Sequence, residues 1–104
     1  MLKVIWGEIA KESYFNELER INIYHTNREV ENFINLVDEV IFNLRTKVLL
    51  GKVSKKTKFN SFVISKQTTL FFDLDKENSR IELLLFWRNK ENPKKLSEIL
   101  KDFQ

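Results

Sequence analysis

Apolar residues in the first half of the chain recur at the spacing of α-helices. A first stripe ends near His25, and a second, longer stripe follows Thr26-Asn-Arg-Glu29, which has the form of a capping box. Because the connection is only a few residues long, we expect the two helices to form an antiparallel hairpin. The stripes consist of Ala10, Tyr14, Leu18, Ile21 and Tyr24, and of Val30, Phe33, Ile34, Val37, Ile41, Leu44 and Val48.

Strand patterns flank this hairpin on both sides. The β-branched and aromatic residues from Leu2 to Trp6 predict a short strand, and Phe59 to Lys66 and Thr69 to Leu74 predict a β-hairpin. The polar and basic segment from Lys52 to Lys58 follows Gly51, which can end the second helix, and we expect it to be a loop. The N-terminal strand is expected to join an edge of the sheet.

The stretch after Ser79 is the most apolar strand in the sequence, and it leads directly into a last helix. Both of its faces are apolar, which predicts an interior strand covered on both sides. Asn92-Pro93 supplies an N-cap and a first helical residue for the helix that follows. The predicted faces are Ile81, Leu83, Leu85 and Trp87 on one side and Leu84 and Phe86 on the other, and the helix packs through Leu96, Ile99, Leu100 and Phe103.

These elements predict a single α+β domain over residues 1–104, in the order β-α-α-β-β-β-α. An N-terminal helix hairpin packs on a small, mainly antiparallel sheet, and a short C-terminal helix follows. Trp6 and Trp87 are expected in the core. The 42% hydrophobic content supports a folded chain, and the absence of cysteine excludes disulfides and thiol chemistry. Since no apolar run approaches a membrane span, we expect a cytoplasmic protein without a membrane partner.

Charge is distributed unevenly along the chain. Residues 40–72 carry seven basic and no acidic side chains, although the whole chain has a net charge of only +3. Such asymmetry predicts a surface for an acidic partner, either nucleic acid or an acidic protein segment. Four further cations gather where the last strand turns into the last helix, and we interpret them as contacts to a target or an anion: Arg88, Lys90, Lys94 and Lys95.

Other kinds of site find little support. His25 is the only histidine, and no second ligand lies at metal-binding spacing from it, so we expect a surface turn residue and no metal or cofactor. Asp73 and Asp75 lie beside a predicted turn, which favours a structural role over paired acid–base chemistry.

Several parts of the sequence together resemble the RelE/ParE superfamily of bacterial type II toxins. The element order, the start Val-Ile-Trp, the strand Thr-Leu-Phe-Phe and the ending Leu-Leu-Phe-Trp-Arg-Asn-Lys-Glu-Asn-Pro-Lys-Lys-Leu carry the resemblance. Its most specific positions are Phe86, Lys90 and Pro93. The resemblance implies a small toxin that a cognate antitoxin holds inactive. It also implies one of two activities: ribosome-dependent cleavage of mRNA or inhibition of DNA gyrase.

The departures from the family pattern concern the residues that cleave RNA. Asn60 stands where many members have an Arg, Phe72 where a Tyr is usual, and Lys90 where an Arg is usual. The chain also ends without the Tyr or His of the cleaving members. Cleavage at the 2′-OH requires a proton acceptor, a proton donor and cations. The candidates that the sequence offers for a nuclease are Lys55, Lys56, Lys58 and Lys90, and ribonuclease activity stays open.

The sequence thus favours a ParE-like toxin that arrests growth by inhibiting DNA gyrase. Two alternatives stay open: a RelE-like, ribosome-dependent mRNA endonuclease, and a non-toxic module that only binds an antitoxin. In each case the expected assembly is a hetero-oligomer with the antitoxin. We expect an amphipathic antitoxin segment to bind an apolar groove formed by Leu84, Phe86, Leu96, Ile99 and Phe103.

Overall fold

The computed structural model of the 104-residue chain describes residues 2–46, 52–53, 59–75 and 77–103. The elements, in order, are β1 (Lys3–Trp6), α1 (Glu8–Tyr24), α2 (Asn27–Arg45), β2 (Lys52–Val53), β3 (Asn60–Val63), β4 (Thr68–Asp75), β5 (Arg80–Arg88) and α3 (Pro93–Lys101). The predicted α+β class and element order are confirmed, with one addition. Lys52 and Val53, expected in a loop, form the short strand β2 against β3, so that part of the loop prediction is wrong.

The described strands form one mixed sheet in the order β1-β5-β4-β3-β2. β1 pairs in parallel with β5 at one edge, whereas β5, β4, β3 and β2 pair antiparallel in succession. β5 is therefore an interior strand, as its apolar faces predicted. Residues 47–51 and 54–58 lie outside the described residues, and with them the predicted stop of the second helix at Gly51.

Local capping explains where two of the helices begin. The Thr26 side chain accepts a hydrogen bond from the Glu29 N–H at 3.3 Å, and the Asn92 side chain accepts one from the Lys94 N–H at 2.9 Å. Each of these bonds satisfies a backbone donor that a helix leaves unpaired in its first turn. Gly7 precedes α1 without a side-chain cap, and a Cβ added there would lie 3.0 Å from the Leu83 carbonyl oxygen. A close approach of backbone to backbone therefore favours glycine at this position.

The helix hairpin covers one face of the sheet and encloses the larger core. We call this cluster the hairpin-side core. Tyr14, half-buried at its rim, lies 5.2 Å from Trp6 between ring centroids, and Trp6 stacks on Phe86 at 5.5 Å. Burial, with a smaller contribution from Asp38, raises the pKa of the Tyr14 hydroxyl. The buried members are Leu2, Ala10, Ile21, Phe33, Val37, Val40, Leu44, Ile64, Leu70, Phe72, Ile81, Leu83 and Phe86.

The opposite face of the sheet carries a smaller cluster, which we call the α3-side core. Its buried members are Phe59, Phe71, Leu84, Leu85, Trp87 and Leu100. Leu96, Ile99 and Phe103 of the C-terminal segment are partly buried against it, and Phe103 meets Phe59 edge-on at 6.2 Å. The predicted packing face of the last helix is thus confirmed, as is the core position of Trp87.

A β-bulge in β5 corrects the predicted faces of this strand. Leu83 pairs with Phe72 and Leu85 with Phe71, so Leu84 is an extra residue without a partner in β4. The alternation of faces therefore breaks at Leu84. Leu85 and Trp87 were expected beside Leu83 but lie in the α3-side core. Phe86 was expected beside Leu84 but lies under the helix hairpin.

Candidate functional site

The candidate site is a cleft of about 250 Å³ at the end of β5, between α1 and α3. It forms because β1 stops pairing with β5 at Leu83, whereas β5 continues to Arg88. Beyond that point α1 replaces β1 as the neighbour of β5. The Ser13 hydroxyl accepts a hydrogen bond from the Phe86 N–H at 2.9 Å and donates one to the Ile9 carbonyl at 2.6 Å. A side chain of α1 thus satisfies a backbone donor that no strand reaches.

Three cations line the cleft, each from a different element: Arg20 of α1, Arg88 of β5 and Lys95 of α3. Two carboxylates, those of Glu17 and Glu91, line it as well. The structure therefore brings together two of the four cations predicted at this corner. Lys90 and Lys94 do not line the cleft and are exposed.

Glu17 is the polar residue that sequence reasoning missed. Its side chain is 7% exposed, and its Oε2 accepts hydrogen bonds from Arg20 Nη2 at 2.8 Å and from the Thr68 hydroxyl at 2.6 Å. Thr68 is fully buried at the start of β4. Because a buried charge is tolerated only when it is paired and hydrogen-bonded, these contacts explain why Glu17 can lie inside. The signal in the sequence was a Glu within the apolar stripe between Tyr14 and Ile21, with an Arg three residues later.

Arg88 is less well satisfied than Arg20. Its Nε is buried and has no hydrogen-bond partner among the described residues, and no ion pair of those residues includes it. An unmade hydrogen bond at a buried donor costs about 1–3 kcal/mol, which makes such an atom a marker of a missing partner. The backbone after Arg88 is held firmly, since Asn89 donates from its N–H to the Gln67 carbonyl at 2.7 Å and from Nδ2 to the Lys66 carbonyl at 3.0 Å.

The other predicted site residues lie in three different places. Leu84, Leu96, Ile99 and Phe103 come together in or against the α3-side core, and Ile99 also borders the cleft. Phe86 is 3% exposed in the hairpin-side core, so the expectation that it shares a groove with these residues is wrong. The bulge at Leu84 is the physical reason. Lys55, Lys56 and Lys58 lie outside the described residues.

Two further depressions lie outside this cleft. One of about 160 Å³ is bordered by the turn of the helix hairpin, where His25 Nδ1 lies 2.9 Å from the Glu29 carboxylate. Another of about 270 Å³ is lined by Trp6, Lys11, Tyr14 and Phe15. Within the described residues, no group of three or more His, Asp or Glu side chains is placed to hold a metal ion. None of the described helices has both the length and the apolarity that crossing a membrane requires.

Several solved structures share this fold. The "Chromosomal ParDE TA system from P. aeruginosa" matches with a TM-score of 0.68 and 12% identity, over 85% of this chain and 96% of that one. The "YoeB/ParE toxin from Agrobacterium tumefaciens" matches with a TM-score of 0.60 and 14% identity, over 85% and 99%. A metal-bound toxin from Helicobacter pylori matches with a TM-score of 0.63 and 14% identity, over 86% and 96%.

Comparison of structures finds similar proteins that comparison of sequences does not find. No protein-family model matches the chain, and no curated protein matches it significantly. At 12–14% identity the similarity to these three structures concerns the fold, and it extends over nearly the whole length of each matched toxin. The resemblance drawn from the sequence is confirmed at this level: the chain has the fold of the ParE and YoeB toxins.

Proposed function

We propose that this protein is the toxin of a type II toxin-antitoxin pair and that it is ParE-like, arresting growth by binding and inhibiting DNA gyrase. The observation that carries the proposal is the shared fold, together with a cationic cleft whose described lining includes no His or Tyr. A cognate antitoxin neutralises the toxin in a hetero-oligomer.

The chemistry of the cleft favours contact over cleavage. Cleavage at a 2′-OH requires a proton acceptor and a proton donor near the scissile phosphate. The carboxylate of Glu17 is already engaged by Arg20 and Thr68, which leaves Glu91 as a proton acceptor. The described residues that line the cleft include neither His nor Tyr to act as its proton-donating partner. What the cleft offers is positive charge and shape, which suit binding.

A ribosome-dependent mRNA endonuclease is the second candidate. The convergence of Arg20, Arg88 and Lys95 favours it, because cations stabilise the charge that develops on a phosphate during cleavage. In that case Lys55, Lys56, Lys58 or Lys90 would have to replace the usual catalytic groups. A lysine can act as a base when neighbouring cations depress its pKa.

For the antitoxin we propose an amphipathic segment that packs along α3. Leu96, Ile99 and Phe103 are only partly buried, so an apolar partner segment would complete their burial. Leu84 lies beneath them, 4% exposed, and supports this surface from the sheet. Lys94 and Lys95, both exposed, would meet acidic residues of the same segment.

The test is inducible expression in a bacterium with and without the candidate antitoxin. We expect growth arrest that co-expression relieves, inhibition of gyrase supercoiling in vitro, and intact ribosome-bound mRNA. Lys90→Ala and Lys94→Ala should each weaken toxicity only slightly, because the binding energy of a contact surface is spread over many residues. Arg28→Ala on the exposed face of α2 is the matched control.

Two results would contradict the proposal in different ways. Codon-phased cuts in translated mRNA, lost in Lys90→Ala while the fold stays intact, would establish the endonuclease. Normal growth with verified soluble protein would leave only a non-toxic module that binds the antitoxin.

A further inference from the structure

We propose that the cleft between α1, β5 and α3 is a receptor for one carboxylate side chain, an Asp or Glu of a partner polypeptide that binds next to Ile99. The identity of that polypeptide as the antitoxin rests on the proposed function, whereas the carboxylate site itself does not. The inference depends on two arginines that line the same cleft. Arg88 has a donor without a partner among the described residues, whereas Arg20 is already paired.

Arg88 is the group that requires a ligand. A guanidinium offers five donors in a planar fork that matches a carboxylate, and Arg88 Nε has no partner among the described residues. The side chain is half-buried and lines the cleft, so its exposed part can contact a ligand there. Lys95 adds a second cation from α3.

Arg20 plays a different part in the same cleft. Its Nη2 lies 2.8 Å from Glu17 Oε2, and the same oxygen is fixed by the hydroxyl of the fully buried Thr68. The Arg20 charge is thus balanced within the protein, and its position is set by β4. Arg20 and Glu17 are therefore paired with each other at the side of the cleft. Arg88 and Lys95 are the cations that we expect to bind the ligand.

The charge of the cleft matches a single carboxylate better than a nucleic-acid strand. Its three cations face two carboxylates, those of Glu17 and Glu91, so the surplus is one positive charge. A nucleic-acid strand carries one negative phosphate per nucleotide and would pass α1, which carries further acidic side chains. These are Glu8, Glu12 and Glu19, all of them exposed.

The apolar residues that line the cleft indicate which kind of residue should lie next to the carboxylate in the partner. Leu85, Trp87 and Ile99 border the cleft, and Ile99 is partly buried on α3. An acidic residue followed by an apolar one would place its carboxylate on Arg88 and its neighbour on Ile99. The partner expected here is thus an acidic, amphipathic segment.

The experiment uses the full chain and follows the arginine Nε–H signals by two-dimensional NMR at low ionic strength. The probe is N-acetyl-aspartyl-leucinamide, and its control is the isosteric asparaginyl compound. We expect the aspartyl probe to shift the Arg88 Nε–H signal saturably and the asparaginyl compound to bind at least tenfold more weakly. Arg88→Lys keeps the charge but loses the fork, and it should weaken aspartyl binding about tenfold. The matched control Arg28→Lys should bind as the unaltered protein does.

Inorganic phosphate and a ten-nucleotide oligouridylate complete the test. If the oligouridylate binds more tightly than the aspartyl probe and displaces it from Arg88, the cleft is a nucleic-acid site and the proposal is overturned. Absence of any shift at Arg88, or equal loss of binding in Arg28→Lys, overturns it too. Phosphate binding no tighter than the aspartyl probe agrees with the single-charge argument, and tenfold tighter phosphate binding contradicts it. Because the assay needs no growth arrest, its outcome is independent of whether the protein is a toxin.

Discussion

The two faces of the sheet differ in the number and length of the helices that cover them. On one face α1 and α2 enclose the hairpin-side core, in which Phe72, Leu83 and Val37 are at most 1% exposed. On the other face the nine-residue helix α3 covers a smaller cluster and leaves Leu96, Ile99 and Phe103 partly exposed. The first face encloses fully buried residues, whereas the second leaves partly buried apolar residues next to the cationic cleft. We infer that stability depends mainly on the hairpin side and that binding occurs on the α3 side.

Phe72→Ala tests the hairpin side and should have the largest effect. Phe72 is 1% exposed, and truncation of a buried Phe typically lowers the free energy of unfolding by about 3–5 kcal/mol. Urea denaturation followed by circular dichroism measures the loss. The control is Phe42→Ala on α2, where the ring is 56% exposed, and we expect a change within about 0.5 kcal/mol. Similar losses at both sites would contradict the assignment of the main core.

Glu17→Ala removes the polar link between the helix hairpin and β4. The change leaves Arg20 and Thr68 without their partner, and breaking a buried ion pair in this way costs about 3 kcal/mol. Glu17→Gln keeps an oxygen for the Thr68 hydroxyl and should cost clearly less. Thermal and urea unfolding of the two variants give the comparison. An equally small loss in both would show that Glu17 acts as a surface residue.

Leu100→Ala weakens the α3 side without touching the hairpin. Leu100 is 1% exposed, but the short helix can settle into the space left, so we expect a loss of about 2 kcal/mol, at the low end for such changes. Hydrogen exchange should show faster exchange in α3 than in α1 or α2. Equal loss of protection in all three helices would mean that the two faces unfold as one unit, which would contradict a difference in stability between them.

Asp75→Asn affects the β4–β5 turn, outside both cores, and should have the smallest effect. Hydrogen bonds from Asn78, and to a lesser extent the charge of Arg80, hold the pKa of the Asp75 carboxyl below its usual range. The ionised group therefore stabilises the fold above the unfolded pKa near 3.9, and this contribution is lost as the pH falls through the folded value.

The melting temperature of Asp75→Asn should be slightly lower at pH 7, and the difference should shrink towards pH 3. The matched control is Asp73→Asn on an exposed position of β4, which leaves the contacts of Asp75 with Asn78 and Arg80 in place. A difference in melting temperature that grows as the pH falls would show that the ionised Asp75 carboxylate does not stabilise the fold.

The sequence predicted the fold well because local signals decide most of it. The capping residues Thr26 and Asn92 and the helical stripes of α1 and α2 act over a few positions, and the structure shows them where they were expected. What it could not predict depends on how one strand pairs with the next. The bulge at Leu84 appears only when β4 is placed beside β5, and it moves Phe86 to the opposite face from Leu84.

Only part of the candidate site was predicted, because only some of its residues are close to one another in sequence. Arg88 and Lys95 are close in sequence, on the two sides of one turn, so their proximity was foreseeable. Glu17 and Arg20 come from the other end of the chain, and only the packing of α1 beside the free end of β5 brings them to the cleft. Lys90 and Lys94 are equally close in sequence, but their positions in the turn and at the start of α3 direct them away from it.

The parallel pairing of β1 with β5 has a consequence for the order in which the molecule folds. Lys3 meets Arg80, from opposite ends of the chain, and the Leu2 N–H bonds the Arg45 carbonyl at 3.0 Å. The helix hairpin is made of neighbours in sequence and can form while the chain is being synthesised at about 5–20 residues per second. The edge strand has to wait until β5 exists, and pairing between strands so far apart in sequence slows folding. The cleft, which needs both β5 and α3, is therefore complete only after the chain has been made through Ile99.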